Sequence, residues 1–168
     1  MDFDPDRNRR KSSHCCIREN VVLRRLFHWS FIHPASYSFY VGMAALWLAF
    51  YVGFSAWFAH QSAGFSTSAN QSIEQALTML VVHAIAVLCC GTGCYIERLV
   101  PLRIVLTVVM VLHLKGIALF SGLILIKYTT GMTALSFFIP LGGLLMILGW
   151  LILSGGWVWF AFTQQGKH

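Results

Sequence analysis

Charged residues are scarce in this sequence. Asp, Glu, Lys and Arg make up 11% of its 168 residues, whereas 57% are hydrophobic, and the mean hydropathy is +0.68. A soluble domain needs more polar side chains to cover its surface, so the composition excludes one and indicates a membrane protein. The short length also excludes a receptor, a two-repeat transporter or a separate catalytic domain.

Sequence patterns of catalysis are missing as well. The chain has no nucleophile elbow, phosphate-binding loop, paired-carboxylate site or metalloprotease motif, and its five cysteines lack the spacing of a zinc site. The sequence therefore predicts that the protein is not an enzyme and that it holds no resident cofactor or metal.

The charges that are present are concentrated at the start of the chain. The net charge of +6 comes from 12 basic and 6 acidic residues, and the basic residues before position 26 are Arg7, Arg9, Arg10, Lys11, Arg18, Arg24 and Arg25. Because this cluster adjoins an apolar run, it is typical of a topology signal or of anionic-lipid contact, and not of nucleic-acid binding. We interpret residues 1–33 as a basic cytoplasmic arm, either with a short interfacial helix or flexible throughout.

Four apolar runs follow the arm, at about residues 35–59, 73–96, 104–126 and 132–162. A helix of about 20 residues crosses the roughly 30 Å hydrocarbon layer of a bilayer, so each run is long enough to span it. We predict an all-α fold, an integral membrane four-helix bundle formed by residues 34–168 behind the basic N-terminal arm.

The basic residues also predict the orientation of the bundle. The link between the second and third runs carries Arg98 and Arg103 and the C-terminal tail carries Lys167, whereas Lys127 is the one basic residue on the other side. The positive-inside rule then places both termini in the cytoplasm. A bacterial inner (plasma) membrane is the expected location, with the mitochondrial inner membrane as the alternative.

Small residues predict where the helices touch, because close backbone approach supplies packing energy in lipid. Gly142, Gly149 and Gly156 recur every seven residues, the spacing of a left-handed packing seam. The first run carries a stripe of small residues that ends in a histidine: Ala45, Ala49, Gly53, Ala56 and His60. The residues predicted to take part in helix packing are Gly53, Gly116, Ser121, Gly122, Pro140, Gly142, Gly143, Gly149 and Trp150.

Several short motifs, in order, resemble a known family. The stretch from Gly116 to Gly122 looks like the Gly-x-x-Leu-Phe-Ser-Gly motif of the domain of unknown function 423 family, and Pro140 to Gly143 followed by Gly149-Trp150 is similar to its fourth-helix motif. The run that starts at His83 resembles its second helix, and Ala59-His60 the end of its first. The likeness covers about residues 45–156. It implies a small four-span membrane protein, of a kind found in bacterial inner membranes and in a eukaryotic branch, and it implies no activity.

Ionisable residues inside the predicted spans are the candidate functional residues, because burying them in lipid is costly. They are His60, His83, His113 and Lys115. Lys115 lies near the middle of the third run, and no acidic residue occurs at its depth. It either meets a partner or a polar cavity, or it is neutral or locally hydrated and bonded to backbone carbonyls. His113, two residues away, points to the opposite face.

These residues leave three functional hypotheses. The first is a structural or accessory component of a larger membrane complex, or a homo-oligomer. The second is a small transport or permeation element with a polar path through Lys115, His113 and Ser121. The third is a haem protein in which His83 and His113 ligate iron between two helices. Apart from the lipid bilayer, the expected partners are anionic lipid at the arm and a membrane complex or a second copy, with no nucleic acid.

Overall fold

Four long helices account for most of the chain in a computed structural model that describes residues 34–165. We number them α1, Pro34–Gln61; α2, Thr67–Gly93; α3, which consists of Arg103–Ile117, a π-helical turn Ala118–Gly122 and Leu123–Thr130; and α4, Ile139–Gln165. Each is long and apolar enough to cross a membrane. The predicted all-α membrane bundle is therefore confirmed, while the basic arm lies outside the described residues.

The helix ends differ from the apolar runs where local capping or a turn overrides hydropathy. α2 begins at Thr67 because the Ser66 side chain accepts a hydrogen bond from the Ala69 amide at 3.2 Å. α4 begins only at Ile139, because Gly131 ends α3 with a left-handed φ of 76° and a short 3-10 helix, Ser136–Phe138, follows. Pro140 is the second residue of α4, a position that needs no amide donor, so it starts the helix without kinking it.

Two compact units divide the chain, residues 1–36 and residues 37–168. Only the first residues of α1 are described in the first unit. Within the second, α2 is the most buried helix, because 56% of its apolar stretch is buried, compared with 39% for α3, 17% for α4 and 11% for α1. The large apolar side chains of the outer helices therefore face the surroundings, as expected of helices in contact with lipid.

The closest backbone approach joins α3 to α4 through the glycine seam, Gly142, Gly149 and Gly156. A Cβ atom built on Gly142 would meet the backbone of Leu119 and Phe120, and one built on Gly156 would lie 2.6 Å from a methyl group of Val105. Gly149 lies against His113. Each step of seven residues along α4 thus matches a similar step back along α3, so the seam predicted from the sequence is the α3–α4 contact.

α1 packs against the bundle through larger side chains. Val41 fills the space beside Gly91 of α2, and Tyr37, Ala44 and Phe58 are buried. Tyr37, Val41 and Ala44 follow one another at steps of four and three residues, and Phe58 lies two heptads after Ala44. This spacing is typical of a helix contact. The contact face of α1 is therefore not the stripe of small residues.

Gly142→Ala is expected to destabilise the bundle. The added methyl group would overlap main-chain atoms of α3, which cannot rotate away, and we expect a loss of about 1–3 kcal/mol in the free energy of unfolding. Gly155→Ala is the matched control, since a Cβ there meets nothing within 4 Å. Titration with a denaturing detergent, followed by helix content, measures both. Equal stability of the two variants would contradict the packing described.

Candidate functional site

The main polar cluster of the bundle interior is formed by His83 of α2, His113 of α3 and Trp150 of α4. His83 is 4% exposed, and both of its ring nitrogens are hydrogen-bonded. Its Nε2 lies 3.1 Å from the Trp150 indole nitrogen, and its Nδ1 lies 2.7 Å from the carbonyl oxygen of Met79. An indole N–H only donates, so Nε2 accepts and Nδ1 carries the proton that it donates to Met79. The two contacts together fix a neutral tautomer of His83.

The ring of His113 packs against both of the other rings and is fully buried. Its centroid is 5.0 Å from that of His83 and 5.2 Å from that of Trp150. Neither of its nitrogens makes a hydrogen bond of standard geometry within residues 34–165, although the ring interacts with the backbone of Met146. A buried polar atom without a good partner costs free energy, so packing holds this ring in place. Gly149 makes the space, because a Cβ there would lie 2.5 Å from His113 Nε2.

The geometry of this cluster does not fit haem between His83 and His113. A bis-histidine haem stands between its two ligands, whereas these rings contact each other edge to face, at an interplanar angle of 78°. The Nε2 of His83 is also committed to Trp150. The arrangement of the two rings therefore gives the hypothesis of two haem ligands no support and is that of a packing contact between helices. No group of three or more His, Cys, Asp or Glu side chains in the described part of the chain could hold a metal ion.

A second buried polar contact ties the π-helical turn of α3 to α2. Ser121, which is fully buried, donates a hydrogen bond from its hydroxyl to the carbonyl oxygen of Ala76 at 2.7 Å. A π-helical turn is wider than an α-helical turn and frees backbone groups, and such turns are common at functional sites. Here the turn faces Gly142 of α4, with a Cβ there 2.9 Å from the carbonyl carbon of Leu119. Its position allows α3 to contact two helices at once.

Lys115 lies on the outer surface of α3. The sequence analysis named it as a candidate buried polar residue, and the structure does not place it in the interior. It is exposed, together with Ile104, Val108 and Ala118, which share its side of the helix; we call these four residues the lysine face. The side chain makes no ion pair within residues 34–165. Because His113 and Ser121 are buried on other sides of α3, the three residues of the proposed polar path do not line one passage. The structure thus places on different sides of α3 the three side chains that the transport hypothesis requires along one path.

The small-residue stripe of α1 also points outward. Ala45, Ala49, Gly53, Ala56 and His60 are all exposed, and a Cβ on Gly53 would meet nothing within 4 Å. Among residues 34–165, Gly53 therefore makes no packing contact with another helix and His60 is exposed, whereas the sequence predicted a packing residue and a buried polar residue at these positions. The other predicted packing glycines do lie at contacts: Gly116 beside Met146, Gly122 beside Trp47 and Gly143 beside Phe120.

Two features escaped the sequence analysis. One is the role of Trp150 as the hydrogen-bond donor to His83, although its place beside Gly149 in the seam put it near the α3 contact. The other is an apolar groove of about 540 Å³ between α1 and α3, with Trp47 and Phe50 on one wall and Gly122 and Ile126 on the other. No polar motif marks this groove, so composition alone could not locate it.

The fold and the interior together define a class: a small α-helical membrane protein with four helices able to span the bilayer and a polar cluster packed between three of them. The model of a protein family of unknown function, DUF423, matches residues 53–143. The chain belongs to the DUF423 family, as the resemblance predicted. Comparison with curated proteins and with solved structures gave no match.

Replacing Gly149 by Ala should couple energetically to His113. The added methyl group would overlap the imidazole, and we expect a loss of about 1–3 kcal/mol in the free energy of unfolding. His113→Ala removes the obstructing ring, so the double variant should be clearly more stable than the sum of the two single effects predicts. Simple additivity, measured by the same detergent titration, would show that the ring does not lie on Gly149.

Trp150→Phe should destabilise the bundle by about 0.5–2 kcal/mol, because it keeps an aromatic ring but removes the donor to His83. Trp157→Phe is the control on the same helix, since the Trp157 ring packs beside Phe160 and makes no hydrogen bond among the described residues. Unfolding free energies of the two variants decide the question. A larger effect at Trp157 than at Trp150 would argue against the hydrogen bond.

Proposed function

We propose that this protein is a structural or accessory component of a membrane assembly, joined to a larger complex or to further copies of itself. The observation that carries the proposal is the outward stripe of small residues on α1. Small residues on a membrane helix let another backbone approach closely. Within the described chain nothing contacts Gly53, so the stripe offers a smooth surface to a second molecule.

The interior of the bundle supports an assembly role over a chemical one. Its buried polar side chains, His83, Thr107, His113 and Ser121, lie on contacts between the helices or against their own backbone, and the ring of His113 is covered by Gly149. We assign no catalytic activity and no cofactor to the chain. The separation of Lys115 from His113 and Ser121 leaves the permeation hypothesis without an observation in its favour.

The same proposal includes the location of the protein. Seven basic residues precede position 26, and Arg98 and Arg103 lie in the link after α2, so the positive-inside rule supports cytoplasmic termini in a bacterial plasma membrane. A mitochondrial inner membrane is the alternative. We expect the basic arm to bind anionic lipid at the cytoplasmic surface.

We expect Gly53→Leu to dissociate the assembly and to leave the fold of the single chain intact. The bulky side chain would keep a neighbouring backbone away from the stripe, whereas it would meet nothing inside the chain. We expect the native particle, extracted at native expression level in mild detergent, to fall to the mass of a single chain, with loss of any co-purifying protein.

Gly155→Leu is the matched control, because Gly155 is an exposed glycine on α4 and a Cβ added there would meet nothing within 4 Å. It should keep the particle mass of the unchanged protein. If the unchanged protein itself runs as a lone monomer without a stoichiometric partner, the assembly role is wrong.

A further inference from the structure

The lysine face of α3 places an ionisable side chain at the centre of a membrane-spanning helix. α3 covers residues 103–130 and is therefore about 42 Å long, and Lys115 lies about 18 Å from its first residue and about 22 Å from its last. A lysine side chain is too short to bring its ammonium group to either interface from that depth. A charged lysine at the helix centre costs about 2.5–3.5 kcal/mol on insertion scales, so an opposite charge beside it would be strongly favoured.

The chain itself does not supply that opposite charge. Its six acidic residues are Asp2, Asp4, Asp6, Glu19, Glu74 and Glu97. The first four precede α1, Glu74 lies eight residues into α2, and Glu97 belongs to the 3-10 helix Glu97–Leu102 before α3. Among residues 34–165, neither Glu74 nor Glu97 is at the depth of Lys115, so the spans of a second copy would bring a second lysine and no acid at that level. Lipid phosphates lie at the interfaces, about 15 Å from the bilayer centre.

The surface around Lys115 suits a helix. Ala118 follows Lys115 one turn further on and is also exposed, so a neighbouring backbone can approach closely there. Beyond the π-helical turn, Gly122 lies beside Trp47 of α1 and lines the apolar groove between α1 and α3. A helix that crosses α3 over Ala118 can therefore meet Lys115 at mid-membrane and place apolar side chains in the groove, against Trp47 and Phe50.

We infer that the lysine face and the adjoining groove bind a transmembrane helix of a different protein, one that carries an aspartate or glutamate near its midpoint. The carboxylate pairs with the Lys115 ammonium, and apolar residues of that helix occupy the groove. This inference rests on the proposed assembly role and specifies the chemistry of the partner.

The test uses a designed partner helix. The full chain is reconstituted in neutral phosphatidylcholine vesicles with a single-span leucine–alanine peptide that has Asp at its centre, and with matched peptides that have Asn or Leu there. A photoreactive residue replaces Val108, an exposed residue of the lysine face two turns before Lys115. In a separate protein it replaces Ile85, which is exposed on α2 two residues after His83, at a similar depth.

We expect adducts at position 108 to form about tenfold more with the Asp peptide than with the Leu peptide, the size of one polar contact between membrane helices. No such preference should occur at position 85. K115Q should abolish the preference and K115R should keep it. Because Lys115 makes no ion pair within residues 34–165, neither change should disturb the fold, which helix content verifies.

Equal adducts with the Asp and Leu peptides on the otherwise unchanged chain would overturn the inference without any Lys115 variant. An Asn peptide as effective as the Asp peptide, or a preference that survives K115Q, would also overturn it, since neither needs an ion pair. The native particle mass is a separate measurement. A monomeric native particle with a clear Asp preference would refute the assembly role and leave the recognition chemistry standing.

Discussion

Close contact between α3 and α4 is the constraint on which the rest of the bundle depends. In lipid, apolar side chains gain little by leaving their solvent, so backbone approach and polar contacts must hold helices together. The glycine seam provides the approach, with Gly142 against the π-helical turn and Gly149 under the ring of His113. The π-helical turn also places the Ser121 hydroxyl within hydrogen-bond distance of α2. A single side chain larger than hydrogen at these positions would separate the elements that position the polar cluster.

The polar residues of the bundle fall into two groups with opposite environments. His83 and His113 are enclosed, and the Trp150 donor and the Met79 carbonyl occupy both nitrogens of His83. Their chemistry is used for cohesion between α2, α3 and α4. Lys115 is outside that core, at the same level, with no acid near it. A buried polar group that has partners stabilises a fold, whereas an exposed ionisable side chain in a membrane span is costly and marks a candidate functional site.

Much of the fold followed from patterns that lipid imposes. Hydropathy located all four helices, and the seven-residue spacing of the glycines located a seam before its partner helix was known. On α1, two faces of the helix both carry regular spacing. The small stripe suggested a helix contact, yet within residues 34–165 the face that turns to the core is that of Tyr37, Ala44 and Phe58. Sequence spacing shows that a face is regular, and it does not say which neighbour covers it.

The sequence by itself determined the class of protein, the number of helices, the family and the scarcity of acid inside the spans, because these depend only on composition and order along the chain. Tertiary structure alone decided which polar residues meet. His83 and Trp150 are 67 residues apart in the chain and share a hydrogen bond, while His113 and Lys115 are neighbours and face opposite environments. The reason is geometric: helical periodicity fixes relative directions on one helix, but only packing between helices fixes which direction is inside.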